Sequence, residues 1–220
     1  MSENDIKRMV LKYLIKNNKH FIAVPEVGIS NNSNTNMRNK VRADIFAVNG
    51  DITIYEIKSE KDNLNRLENQ LKVYQLYANK VYVVVADKFV DKLKIDDHIG
   101  IYKINNNKIE LLKEAKYNEI LKERYLEYWW GMELKKIFRG CRGSNTLTYN
   151  QSIEKLDKLL TYNQLKKLTL FRLKERYEEE FNKIKEAIKN NSNFPKREYK
   201  QNINVTPLKD IPFGVINEIC

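Results

Sequence analysis

The stretch from Val81 to Ala86, VYVVVA, constrains this chain more than any other. It is apolar and largely β-branched, so both of its faces need cover, as in a central strand flanked by helices. The segments around it fit that frame. In residues 3–17, Ile6, Met9, Val10, Tyr13 and Leu14 recur at helical spacing. Phe21 to Val24 reads as a strand that ends near Glu26, behind Pro25. Asn31 to Asn39 is a polar loop. Val41 to Val48 and Ile52 to Lys58 read as strands around Asn49-Gly50, a hairpin turn signal. Residues 62–79 read as a helix with Leu64, Leu67, Leu71, Tyr74 and Ala78 on one face. Ile99 to Ile104 and Lys108 to Leu112 read as a second hairpin at the sheet edge. The order predicts an α/β fold with an αβββαβ core and a mixed central sheet.

The second half changes character. Helical patterns cover roughly 118–138, 151–161 and 163–190, with Gly140 to Ser144 as a break, and residues 191–220 read as an extended tail. The predicted organisation is a core over 1–115, a helical region over 116–190 and the tail. Charge follows the same division. The chain has 40 Lys and Arg against 29 Asp and Glu, a net +11. Residues 113–200 carry 21 basic and 13 acidic residues, whereas 1–112 carry 18 and 14. A basic surplus of this kind points to a polyanion, most often nucleic acid, although a Lys-, Asn- and Ile-rich composition also arises from AT-rich coding. No apolar run is long enough for a membrane span. The start, MSENDIKRMVLKYL, lacks the order of a signal peptide, and Cys141 and Cys220 make neither a disulfide framework nor a zinc pattern. The expected location is therefore the cytoplasm, with the cysteines as spare thiols.

The chemistry concentrates on the first hairpin. Arg42, Asp44, Phe46 and Val48 share one face of their strand; Ile52, Ile54, Glu56 and Lys58 share one face of the next. Both strands look internal, so their charges need partners. A two-residue turn would set Asp44 opposite Tyr55. One extra residue, Asn49-Gly50-Asp51 or a bulge, sets Asp44 opposite Glu56, and this is the register expected here. Two carboxylates so placed repel unless a cation lies between them, and Mg²⁺ or Mn²⁺ suits such oxygen ligands, with the Ile57 carbonyl as a further donor. Lys58, two positions along, would orient a water and stabilise charge on a phosphate.

Asp44, followed after eleven residues by Glu56-Ile57-Lys58, resembles the PD-(D/E)XK nuclease superfamily. Gln70 to Tyr74 resembles the QxxxY motif of its RecB-like branches. Arg42-Ala43-Asp44, Tyr55 to Ser59, Arg66-Leu67 and Val81 to Val85 are similar to a small bacterial and phage family of uncharacterised restriction-endonuclease-like proteins. The resemblance covers about residues 1–115. It implies a restriction-endonuclease-like core, a metal at Asp44 and Glu56, Lys58 as the third catalytic residue, and Glu26 as a further acidic ligand. Gln70 would contact the metal-bound water or a phosphate, with Tyr74 and Arg42 in support. Ala43 stands where the pattern has Pro.

The expectation is thus a Mg²⁺-dependent phosphodiesterase, a DNA endonuclease, with Arg66, Lys166, Lys167 and Arg172 on the nucleic acid and a homodimer as one option. Two rivals are a non-catalytic nucleic-acid-binding protein and a protein-binding regulatory subunit. Plainer readings exist for the residues too. Asp44 could pair with Arg42 or Lys40, Glu56 with Lys58, and Arg66 with Asp62. Gln70 and Tyr74 could be the polar edge of a helix. Tyr125 and Tyr128 to Trp130 are expected to pack against the core, with base stacking as the alternative. Lys166, Lys167, Arg172, Lys174 and Arg176 could equally form a solvated face paired with Glu175 and Glu178 to Glu180.

Overall fold

The computed structural model describes residues 1–29, 41–105, 108–141, 147–197 and 203–211. They form two compact units, residues 1–120 with 177–196 and residues 121–176 with 197–220. The predicted loop over 31–39 lies outside the described residues, as do 142–144 of the predicted break and Cys220.

The first unit is a mixed α/β structure. Its six strands are β1 (Ile22–Ile29), β2 (Val41–Val48), β3 (Ile52–Lys58), β4 (Lys80–Ala86), β5 (Gly100–Asn105) and β6 (Lys108–Lys113). They lie in the sheet in chain order. The β3–β4 and β4–β5 pairs are parallel and the others antiparallel. The parallel centre requires crossovers, and α2 (Leu67–Tyr77) makes the first of them. β4 is buried at every position but Lys80, as its apolar run demands.

Helix α1 (Glu3–Asn17) has the predicted bounds. Ser2 caps it, accepting from the Asp5 amide while the Asp5 carboxylate takes the Ser2 amide, so two orphan donors are satisfied reciprocally. Its buried face carries Ile6, Val10, Leu11 and Leu14. Tyr13 meets a layer of tyrosines on the sheet: Tyr55 stacks on Tyr82 at 5.2 Å, and Tyr82 lies 5.1 Å from Tyr102. Gly100 is what lets that layer close, because a Cβ there would stand 2.3 Å from the Tyr82 ring. Asn79 locks the end of α2 to β3. It is fully buried, its amide and side-chain oxygen pair with Ile52, and its side-chain nitrogen donates to the Asn118 carbonyl.

The second unit is helical: α3 (Lys122–Glu127), α4 (Gly131–Ile137), α5 (Tyr149–Leu159) and the first part of α6 (Tyr162–Lys189). Several expectations need correction here. The helix predicted over 118–138 is two short helices. Glu133 turns back onto the Trp130 amide at 2.9 Å, capping α4 and breaking the run between Glu127 and Gly131. The domain boundary does not fall at 190, because residues 177–196 belong with the sheet: Tyr177 packs on Phe46 and Phe181 on Phe21. Residues 203–211 are not a free tail. Ile203, Leu208 and Ile211 are buried, and the Thr206 hydroxyl donates to Glu175 at 2.5 Å. Trp129 is buried, its indole N–H on Thr169 of the same unit at 3.0 Å. Cys141 is buried.

Candidate functional site

The β2–β3 connection is the three-residue one, Asn49-Gly50-Asp51, with Gly50 at φ +81° where a side chain would be strained. The ladder runs from Val48↔Ile52 to Ile45↔Tyr55, and one further step sets Asp44 across from Glu56. On the other side, the Pro25↔Ile45 and Val27↔Ala43 pairs bracket Glu26 and Asp44. Three neighbouring strands therefore carry Glu26, Asp44 and Glu56 at one level of the sheet. The Asp44 carboxylate accepts from the Ile57 amide at 2.7 Å. Ile57 thus enters the cluster through its N–H, where the sequence suggested its carbonyl.

Each carboxylate has a cation. Lys58 Nζ lies 2.7 Å from Glu56 and 3.1 Å from the Gln70 side-chain oxygen. Tyr74 donates its hydroxyl to Glu56 at 2.7 Å and also lies 2.9 Å from the Arg42 carbonyl. Arg42 Nε pairs with Glu26 at 2.5 Å. The structure thus brings together Asp44, Glu56, Lys58, Gln70, Tyr74, Arg42 and Glu26. Two members, Lys7 and Glu3 of α1, escaped the sequence reading. Lys7 of α1 is 3% exposed, and its ammonium pairs with Glu26, with Glu3 at 2.5 Å and with Asp44 at 3.5 Å. A lysine four residues after a glutamate on a helix reads as a solvated pair, so nothing local marked it.

Burial and acid surplus set the electrostatics. Burial, then the charge of Glu56, pushes the Asp44 carboxyl up to about 7; the Ile57 amide and Lys7 oppose this. Burial works against the Lys7 ammonium, but its hydrogen bonds to Glu26 and Glu3 raise it overall. Burial and the Glu56 charge hold the Tyr74 hydroxyl far above its usual range. Glu26 adopts φ +61°, a conformation that costs a residue with a side chain roughly 1 kcal/mol and that its two cations hold in place. Oxygens of Glu3, Glu26 and Asp44 lie within 4.8 Å of one another. That is a hard, oxygen-only donor set, and Glu56 is not part of it.

The basic residues expected to meet nucleic acid divide. Arg66 is exposed at the head of α2, Lys167 is exposed and Lys166 half-buried. Arg172 is a correction. It is 1% exposed and spent on Glu133 at 3.1 Å and on Glu175. Arg176 also pairs with Glu133 and stacks over Trp130 at 4.2 Å. A guanidinium fork suits such a buried carboxylate, so these arginines hold the second unit together.

The model of one family, Bacteriophage P4 protein cII, matches residues 1–197. The chain belongs to that family. Protein cII of Enterobacteria phage P4 is 28% identical over 145 residues, covering 62% of this chain and 54% of that protein. The chain thus spans about half the length of the relative it matches. Among solved structures, a protein of unknown function from Silicibacter pomeroyi is 16% identical and has a TM-score of 0.44 over 56% of this chain and 79% of that one. Membership in the cII family overturns the expectation of a metal-dependent DNA endonuclease. The family spans the hairpin, the QxxxY helix and the basic region together, and neither it nor the phage P4 relative is named for cleavage of nucleic acid. No helix among the described residues is long and apolar enough to cross a membrane.

Proposed function

We propose that this member of the cII family is a nucleic-acid-binding protein. One observation carries the reading: the positive surplus of the chain sits mainly in residues 113–200, and exposed side chains such as Lys135, Arg139 and Lys167 carry part of it. Cations left in water beside one another attract a polyanion through counterion release, which needs no sequence reading. The cluster of the first unit has the opposite character. Its carboxylates outnumber its cations, so it repels phosphate.

The test is fluorescence anisotropy of the full chain with labelled duplex DNA, single-stranded DNA and RNA over rising salt. The reading expects binding to at least one of them, with log K falling linearly against log salt. Absence of binding at low salt to all three rejects it.

A second reading concerns the first unit alone. Glu3, Glu26 and Asp44 offer a divalent cation an oxygen cage in place of the Lys7 ammonium. Mg²⁺ or Mn²⁺ then raises the melting temperature of the wild type and not of Asp44→Asn; equal shifts in both reject the cage.

A further inference from the structure

We infer that the end of α4, with Lys155 and Lys209, forms the surface that grips the sugar-phosphate backbone; this rests on the nucleic-acid reading above. Four cations from three chain segments converge there. Lys135 lies in the last turn of α4, and Arg139 follows it; both are exposed. Lys155 of α5 places its ammonium 4.8 Å from the centre of the Phe138 ring. Lys209 lies against Gly140: a Cβ built on that glycine would stand 3.1 Å from the lysine's Cε and Nζ. Gly140 itself is at φ +86°, so a side chain there is disfavoured twice over.

The convergence is built, not incidental. Lys136 donates to the Ile203 carbonyl at 2.7 Å, and buried Leu208 anchors the turn that carries Lys209. These ties hold a segment some seventy residues on in sequence against α4. Among the described residues, none of Lys135, Arg139, Lys155 and Lys209 has an ion pair, whereas Lys122 pairs with Asp157 and Lys158 with Glu154. Exposed Asp210 is the acid next to Lys209 in the chain. A membrane surface is the weaker match, because Leu134, Ile137 and Phe138 are all buried and leave α4 no apolar face to insert. What remains is charge in water, the type of surface that binds a phosphodiester chain.

The experiment compares the full-length wild type, the triple variant Lys135→Gln/Arg139→Gln/Lys209→Gln and Lys158→Gln on one labelled duplex over a salt series. The triple variant is expected to bind about tenfold or more weakly at low salt, with a salt slope shallower by about two to three units, near 0.9 per lost phosphate contact. Lys158→Gln is expected to match the wild type. Circular dichroism and melting temperature check that the exposed substitutions leave the fold intact. A triple variant with the wild-type slope overturns the surface while the nucleic-acid reading stands. An equal loss in Lys158→Gln also overturns it, because net charge alone then explains the effect. A wild type that binds anionic phosphatidylserine vesicles and no nucleic acid overturns both readings.

Discussion

The two units each bury a knot of charge, and the knots are built from different cations. In the first, buried Lys7 and Lys58 and exposed Arg42 serve four carboxylates, Glu3, Glu26, Asp44 and Glu56. In the second, Arg172 and Arg176 serve Glu133 and Glu175. In the first, burial and then the charge of neighbouring Glu56 lift the Asp44 carboxyl toward neutral pH, where it can answer a change of condition. The second is matched charge for charge with groups that do not lose their protons in water. In the second, removing any one partner leaves a buried charge without its counter-ion.

The sharpest way to break that contrast is Glu133→Ala. Glu133 is wholly buried between two arginines and also caps α4 through the Trp130 amide. Its loss strands two guanidiniums and is expected to cost about 3–5 kcal/mol in urea unfolding. A cost under about 1 kcal/mol would mean the knot is solvated.

Asp44→Asn comes next. The folded carboxyl titrates near 7 and the unfolded one near 3.8, so the folded state binds the extra proton between those values. Wild-type stability from this group is fully present below about pH 4 and is lost as pH rises through 7. Asn carries no proton to lose, so the variant should gain on the wild type by on the order of 2–4 kcal/mol from pH 4 to pH 8. A difference that is flat with pH would place Asp44 in water.

The smallest effect expected is that of Asn79→Ala. It removes the side-chain bonds to Ile52 and Asn118 and should lower the urea midpoint by about 1–3 kcal/mol of stability. An unchanged midpoint would show that the α2–β3 junction is held by backbone alone.

These residues also show how far the sequence was readable. Helix α1 and the β2–β3 hairpin were legible to the residue, because an apolar period and an Asn-Gly turn are local signals. The same locality made the meeting of Asp44, Glu56 and Lys58 legible, since strand register is arithmetic once the turn length is chosen. Lys7 and Arg172 were not legible. Each sits among charged helix neighbours, and each is buried by a carboxylate far along the chain, Glu26 for Lys7 and Glu133 for Arg172. The break between α3 and α4 was hidden for a related reason: Tyr128, Trp129 and Trp130 continue an apolar period that Glu133 interrupts. The motif in the hairpin was read correctly as geometry and wrongly as activity. Three side chains fix a constellation, whereas the family model spans residues 1–197.

The most direct test sets the two units against each other in one binding assay. The double variant Asp44→Asn/Glu56→Gln and the triple variant Lys135→Gln/Arg139→Gln/Lys209→Gln are titrated with the same labelled nucleic acid beside the wild type. The account predicts that the first binds within about twofold of the wild type and the second about tenfold more weakly. Loss of binding in the first with full binding in the second would contradict it.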